Sequence, residues 1–259
     1  MDSWAADELQ HVDLGDERLN KRLVKIVEKA AAHPESSVPQ ACDTWAETKA
    51  TYRFWDSKRV TPEAIRRAHT ESTAERVEAC STVLVLQDTT NLDFTRHAAV
   101  TGLGYLDDVH LRGLKVHSAL AVSELGVPLG LVHQEVWIRD PEELGKKPDR
   151  RSREIEDKES QRWLTALQAT QEALPDEVRI ITVADQEGDI YDLMAAPRRT
   201  GHELLIRGCR DRHVGGDVPY IWDAVRSKPV QGHYTVRLQA NEDRDARDAV
   251  LSVRYGSVE

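Results

Sequence analysis

The stretch VRIITVADQEGDIYDL, residues 178–193, constrains the fold more than any other part of this chain. Apolar and β-branched residues (Ile180, Ile181 and Val183) stop at Asp185, and apolar residues resume at helical spacing after a short polar cluster. This order is typical of a buried strand that ends in a carboxylate and is followed by a turn and a helix. In sheets with parallel neighbours, that end of a strand presents functional groups. Asp185 is therefore a candidate functional residue.

A second predicted strand has the same feature, because the apolar run of residues 82–87 leads directly into Asp88. Two aspartates at strand ends indicate a metal site, since carboxylate oxygens are ligands that suit Mg²⁺. Each aspartate also has a structural interpretation as a turn former or helix N-cap. An alternative is that Asp189 is the N-cap of the helix that begins near Ile190. Asp185 would then have no capping role.

The composition excludes several classes of protein. The chain has 259 residues, enough for one large domain or two smaller ones, and 31% of them are charged. It has neither an apolar run of membrane-spanning length nor a signal-like N-terminus, so we expect a cytoplasmic protein without membrane contact. The three cysteines are far apart and the histidines lack metal-type spacing, which argues against disulfides and zinc. A net charge of -10 requires any DNA binding to use a local basic surface.

The first eighty residues predict a helical module, residues 1–79. Helices are expected over residues 13–32, 41–55 and 62–79, the last with Thr61 as N-cap and Pro62 at its start. On the first helix, the basic residues gather on one side: they are Arg18, Lys21, Arg22 and Lys25. A solvated helix face is the alternative interpretation of this pattern.

Residues 80–209 predict an α/β domain with the ribonuclease-H-like order of elements. Three strands (82–87, 114–123 and 130–139) precede a charged loop (140–153), a long helix (152–174) and then the strand to Asp185, a helix and a last strand. In that topology the first and fourth strands are parallel neighbours, which brings Asp88 within metal-bridging reach of Asp185. Two ions about 4 Å apart at such a site promote phosphodiester cleavage. Residues 210–259 predict a short helix and two further strands.

Eight short segments carry a resemblance to a known family. They are LGDERLNKRLV (14–24), YRF (52–54), EAIRRA (63–68), QDTTNLDF (87–94), VHSALAV (116–122), GLVHQEVWIR (130–139), DKESQRWL (157–164) and VADQEGDIYD (183–192). In this order, across almost the whole chain, they resemble the bacterial cut-and-paste DDE transposases of the insertion-sequence-four, Tn-five-like group.

The resemblance implies a role for seven residues. Asp88 and Asp185 would be the first and second catalytic carboxylates, and Arg207 a basic residue near the active site. The residues implied to read the terminal DNA are Arg18, Arg22, Tyr52 and Arg53. It further implies Mg²⁺ or Mn²⁺ as cofactor, inverted terminal repeats and target DNA as partners, and a homodimer in the full-length family.

The sequence departs from the family pattern at three places. Gln186 stands where the family has a basic residue, which would weaken phosphate contacts, and Gly188 stands where it has Ala, which would loosen the helix start. The third catalytic Glu of the family lies in a Tyr-Arg-Glu-Lys helix beyond a β-rich insertion. The present sequence stops within what resembles that insertion, and Glu259 is no substitute.

Three hypotheses follow. The chain is a fragment or truncated copy of a metal-dependent transposase, or a catalytically dead remnant that binds DNA and inhibits a full-length relative. A nuclease-fold protein with unrelated phosphate chemistry is least favoured, because it would leave the N-terminal matches without a reason. Without the third carboxylate, we expect that the chain alone does not cleave DNA. We also expect one face of the sheet to be partly exposed.

Overall fold

The computed structural model describes residues 3–140, 159–216, 218–241 and 244–258. The chain divides into two compact units, residues 1–207 and 208–259. None of the helices in these described ranges combines the length and the apolar character that a bilayer span requires. The predicted loop over 140–153 and the start of the predicted helix at 152 fall almost entirely outside the described ranges.

The first unit begins with helices that include the three predicted ones. They are α1 (Trp4–Glu8), α2 (Glu17–Ala32), α3 (Val38–Ala41), α4 (Trp45–Trp55) and α5 (Pro62–Glu78). The prediction that Thr61 caps the helix starting at Pro62 is confirmed, because its side chain accepts a hydrogen bond from the N–H of Ala64. Helix α2 begins four residues later than expected, since Asp16 caps it by accepting from the N–H of Arg18.

The helices pack around a small apolar core. Leu23 of α2, Phe54 of α4 and Ala68 of α5 are almost fully buried there, together with apolar residues around the end of α1. Helix α5 also extends into a second core, where Val77 packs against the sheet. The predicted boundary at residues 79/80 therefore falls within one compact unit, and the division into a helical module and a catalytic core stays a prediction.

The sheet of the first unit is mixed. Its strands are β1 (Thr82–Asp93), β2 (Gly104–Tyr105), β3 (Arg112–Ser123), β4 (Pro128–Trp137), β5 (Arg179–Ala184) and β6 (His202–Ile206). The order across the sheet is β2-β3-β1-β5-β6, with β4 paired to β3. Pairing is antiparallel between β1 and β3 and between β3 and β4, but parallel from β1 to β5 and from β5 to β6. The mixed sheet after N-terminal helices is as predicted, whereas the ribonuclease-H-like assignment stays a prediction.

Two helices follow strands β4 and β5. Helix α6 (Gln161–Ala173) connects β4 to β5, and α7 (Tyr191–Ala195) lies between β5 and β6.

Strand β1 is longer than predicted. The expectation that it ends before Asp88 is wrong. Strand β1 continues to Asp93, because β3 pairs with it along its whole length while its parallel pairing with β5 stops at Gln87. Part of the predicted loop 104–113 is strand β2.

The two faces of this sheet differ in burial. Alternate residues of β1 and β5, such as Val83, Val85 and Ile180, are fully buried in a core shared with α5 and α6. On the opposite face, Leu86 is 36% exposed and Leu205 of β6 is 61% exposed. One face is therefore partly exposed, as expected.

The second unit contains a short helix and a hairpin. Its elements are α8 (Ile221–Arg226), β7 (Gly232–Leu238) and β8 (Arg247–Val253). The two strands pair antiparallel, with Gly232 opposite Val253. Helix and strands occur where the sequence predicts them, but their assignment to a β-rich insertion stays a prediction.

Candidate active site and DNA-binding surface

The strand register places Asp88 beside Asp185. In the parallel pair of β1 and β5, the last matched residues are Gln87 and Ala184. Asp88 is the next residue of β1 and Asp185 directly follows β5, and neighbouring strands lie about 4.8 Å apart. Both aspartates belong to the partly exposed face, since they alternate with the buried Gln87 and Ala184. The two predicted carboxylates therefore lie next to each other on one face.

Asp185 has a structural task as well. Its Oδ1 accepts a hydrogen bond of 2.8 Å from the N–H of Glu187 and so caps a 3₁₀ turn, Gln186–Gly188. The alternative in which Asp185 has no capping role is wrong, because its side chain caps this 3₁₀ turn. The cap fixes the carboxylate of Asp185 at the strand end, and a carboxylate retains acceptor capacity beyond one such bond.

Arg207 continues the row formed by the two aspartates. It directly follows β6, and its N–H donates to the carbonyl oxygen of Ala184 over 3.0 Å. Since Ile206 pairs with Ala184, Arg207 falls level with Asp185 on the same face, and it is exposed. Asp88, Asp185 and Arg207 thus occupy corresponding positions on three neighbouring strands.

Glu187 is a further acidic residue of this site that sequence reasoning missed. Its pKa is raised, first by burial and then by the negative charge of Asp185, with smaller contributions from Asp107 and Asp88, while Lys115 acts in the opposite direction. Several carboxylates therefore create a negative potential at this edge of the sheet. Among the residues that the structure describes, however, no three His, Cys, Asp or Glu side chains are arranged to hold a metal ion.

A network of ion pairs that includes the buried Lys115 flanks the acidic edge. Lys115 of β3 is 7% exposed, and its Nζ lies 2.9 Å from Oδ1 of Asp107. A hydrogen bond from Asn91, supported by Lys115 and Arg139, lowers the pKa of Asp107 to about 2. Arg139 also holds Glu159 through two bonds of 2.6 and 2.7 Å, an arrangement that we call the Arg139–Glu159 clasp. These partners come from separate parts of the chain, so no local motif indicates them.

Gly188 has a packing role rather than the loosening role expected from the sequence. It is buried, and a Cβ added to it would lie 2.6 Å from the Cβ of Ala184 and 3.1 Å from the ring of Trp163. Trp163 of α6 therefore occupies the space that an Ala side chain would need. The tight turn after Asp185 depends on this close approach.

The predicted DNA contacts lie on α2 and α4. On α2, Arg18 and Arg22 share one side of the helix with Lys25 and Lys29, because the four residues follow helical spacing. We call these four residues the basic stripe. The side chain of Arg18 is 92% exposed and approaches Asp16 at 3.4 Å. Lys21, also predicted for this side, pairs with Glu17 at 3.4 Å.

Helix α4 exposes aromatic and basic residues together. Tyr52 and Arg53 are both exposed, and Trp45 is 67% exposed with Nζ of Lys49 lying 5.4 Å from its ring. A groove between α2 and α4 is lined by Arg22 of the basic stripe and by Thr51 and Trp55 of α4. Arg22 is thus the predicted residue that lines this groove, whereas Tyr52 and Arg53 are exposed elsewhere on α4, with Arg53 about half a helical turn away from Thr51.

A comparison with protein families identifies the character of this region. Residues 1–60 match the family described as transposase DNA-binding. The match spans α1 to α4 and contains all four residues predicted to contact DNA. It supports a DNA-binding transposase, and it covers the first 60 of the 259 residues.

Proposed function

We propose that this chain is a DDE transposase of the insertion-sequence-four, Tn-five-like group, which binds the terminal repeats of its element and acts on phosphodiester bonds at Asp88 and Asp185. One observation carries the proposal: a transposase DNA-binding segment is joined in the same chain to two aspartates that neighbour each other on parallel strands. The basic stripe resolves the conflict with the overall acidity, because it concentrates positive charge where DNA would bind.

The chemistry of the donors fits a divalent metal ion. Asp88 and Asp185 offer hard carboxylate oxygens on one exposed face, and Mg²⁺ or Mn²⁺ would take its remaining ligands from water and DNA phosphate. A metal bound there would supply activation of water and stabilisation of the leaving oxygen. Asp185 is held in place by its cap to Glu187, and Arg207 is level with it to bind a phosphate oxygen.

A second candidate function is DNA binding without cleavage. The observation that favours it is the lack, within the described ranges, of a third carboxylate placed to complete the metal site. A protein of this kind would occupy the terminal repeats and inhibit an active relative. The two candidates share the DNA-binding surface and differ only in the chemistry at Asp88 and Asp185.

The DNA-binding surface, which both candidate functions share, is tested by the salt dependence of DNA binding. The probe is duplex DNA from the genomic regions that flank the gene, bound by the full chain and by a variant with Arg18, Arg22 and Arg53 all replaced by Ala. Each lost phosphate contact should reduce the log–log salt slope by about 0.9. Arg179→Ala and Arg237→Ala are matched controls, since both residues are exposed arginines outside the matched segment. An unchanged slope in the triple variant would rule out this surface.

The chemistry is tested on the protein–DNA complex. Calorimetric Mn²⁺ titration should show weaker binding for Asp88→Asn and Asp185→Asn but not for Asp93→Asn, whose carboxylate lies on the same strand and bonds to Thr95. The second candidate predicts no cleavage of labelled duplex, because the described ranges hold no third carboxylate to position the metal. Specific nicking that Asp185→Ala abolishes would instead favour the first candidate in full. Equal Mn²⁺ affinity in all variants would exclude the metal site.

A further inference from the structure

The groove between α2 and α4 has the size and lining of a binding site, and of the proposed DNA contacts it includes Arg22. Its cavity volume is about 370 Å³, within the range of small-ligand sites. Its apolar lining comes from three helices and includes Ile26, Val38 and Ala41, while Trp55 supplies an aromatic wall. A ligand that fills this groove therefore meets mainly carbon and an indole ring.

Trp55 is unusually accessible for a residue next to a core. Its neighbour Phe54 is buried and contacts it edge-on, with ring centroids 4.9 Å apart, yet Trp55 itself is 50% exposed. Trp55 also lines a second cavity of about 320 Å³ together with Val60, Pro62 and Ile65. An indole with open space beside it is a stacking surface for a flat aromatic ligand.

The charges around the groove favour a neutral ring inside and phosphates outside. Lys29 is bonded to Asp43, and Glu47 accepts from the N–H of Asp43 over 3.0 Å, so these groups are engaged with each other. Arg22 and Lys25 belong to the basic stripe and lie at the groove, balanced in formal charge by Glu28 and Glu47. The groove is therefore not a strong site for a free anion, whereas the basic stripe, three of whose four members line the groove, suits a nucleic-acid backbone that runs along it.

We propose that this groove takes a single unstacked base of bound DNA, stacked on Trp55, while the basic stripe binds the flanking phosphates. The proposal rests on the proposed DNA-binding function and extends it. Every lining residue falls between residues 22 and 55, inside the segment that matches transposase DNA-binding. The groove also shares Arg22 with the predicted contact surface, and Trp55 follows Tyr52 and Arg53 on α4.

The proposal predicts which DNA the site prefers. A base must leave its duplex stack before it can enter the groove, and this cost is smallest for single-stranded, mismatched or frayed DNA. Stacking on an aromatic side chain is tolerant of sequence, since every base has a π-face. Single-stranded oligo(dT) is therefore a suitable probe that requires no knowledge of the terminal repeat.

The decisive experiment is photo-cross-linking of the full chain to oligo(dT) carrying one 5-iodouracil. The expected adduct is at Trp55, and Trp55→Ala should weaken oligo(dT) binding about tenfold, the scale of one stacked base. Trp55→Phe should retain most of the affinity, which separates stacking from a folding defect. Trp45→Ala is the matched control, because Trp45 is a more exposed tryptophan of the same helix outside the groove.

Cysteine protection gives a second readout. Cys42 lines the groove, while the exposed Cys209 belongs to the other unit and serves as internal reference. Oligo(dT) should slow alkylation of Cys42 but not of Cys209. Equal alkylation with and without oligo(dT), or an adduct at Trp45 alone, would overturn the proposal, as would equal protection by dTMP, which would indicate a free-nucleotide site.

The failure of this proposal is distinguishable from failure of the proposed function. If duplex DNA binds with a salt slope that depends on Arg18, Arg22 and Arg53 while Cys42 stays unprotected, only the groove proposal fails. If no DNA binds at all, the proposed function fails as well.

Discussion

The two faces of the central sheet show how one strand serves both folding and chemistry. On the covered face of β1, Val83 and Val85 are fully buried against helices, and the polar Gln87 after them is buried too. On the other face, Leu86 is partly exposed and Asp88 is exposed. Since side chains alternate along a strand, consecutive residues supply the core and the candidate active site in turn.

The polar groups on the two faces have different partners. On the covered face, Nε2 of His117 lies 3.3 Å from Oε1 of Gln87, and its Nδ1 lies 2.8 Å from Oγ1 of Thr89. These bonds satisfy both ring nitrogens of His117, whereas Nε2 of Gln87 is buried without a hydrogen-bond partner among the described residues. On the other face, Asp88 and Asp185 are exposed neighbouring carboxylates, and we propose that an external cation binds there. The covered face thus holds buried polar groups, and the other face holds charged groups that solvent reaches.

The largest expected effect compares two adjacent isoleucines of β5. Ile180 is fully buried in the core, whereas Ile181 belongs to the other face and is only partly buried. Ile180→Ala should lower the free energy of unfolding by about 2–5 kcal/mol, because it leaves a cavity. Ile181→Ala should cost clearly less, since solvent already reaches that site. Urea denaturation at constant m-value measures both, and equal losses would contradict the difference between the faces.

An intermediate effect is expected from acid. Burial, followed by the nearby positive charges of His133 and Arg162, lowers the pKa of His117 to about 4 from an ordinary 6.5. Between these values the unfolded chain binds a proton that the native state does not, so the free energy of unfolding falls as the pH is lowered. The slope should reach about 1.4 kcal/mol per pH unit, or about 3 kcal/mol in all.

The contribution of His117 is isolated by a variant. His117→Gln should flatten the pH dependence of urea midpoints between about pH 6.5 and 4. His202, whose pKa burial also lowers to about 4, contributes in the same window, so His202→Gln should flatten it by a similar amount. An unchanged slope in both variants would show that burial on the covered face does not lower the pKa of these two histidines.

The smallest expected effect concerns the exposed face. Asp185→Ala removes the cap on the N–H of Glu187 and should lower the free energy of unfolding by about 1 kcal/mol. Asp185→Asn keeps an acceptor oxygen and should be close to neutral in stability while still weakening Mn²⁺ binding. Thermal unfolding of the two variants measures the stability effects. A loss for Asp185→Ala as large as that of Ile180→Ala would mean that this face also holds the fold together.

The pattern of the sequence was sufficient for the class of fold and for the pairing of two aspartates. Periodicity located the longer helices and most strands but not the short helices α1 and α3, and the order of strands and helix placed β1 next to β5. It did not predict that β1 extends beyond Asp88 to Asp93, because the residues after Asp88 are polar and only the partner strand β3 shows that they pair. Pairing across a sheet is a tertiary property that composition alone does not specify.

The surroundings of the site were less accessible to sequence reasoning. Lys115 stands in an apolar strand, which is a local signal of a special environment, but its partner Asp107 lies in a segment expected to be a loop. Glu187 is two residues from Asp185, and its electrostatic coupling to Asp88 requires knowledge of the register. The packing role of Gly188 was not predicted, because it depends on two tertiary contacts, the Cβ of Ala184 on β5 and the ring of Trp163 on α6.

The Arg139–Glu159 clasp makes the sheet tolerant of extra residues inserted between its two members. It joins the residues just beyond β4 and just before α6 by a bidentate ion pair, so both ends of the connection are fixed independently of what lies between them. An affinity tag inserted between residues 139 and 159 should therefore leave the sheet and its two aspartates in register, because the clasp itself holds the two ends together.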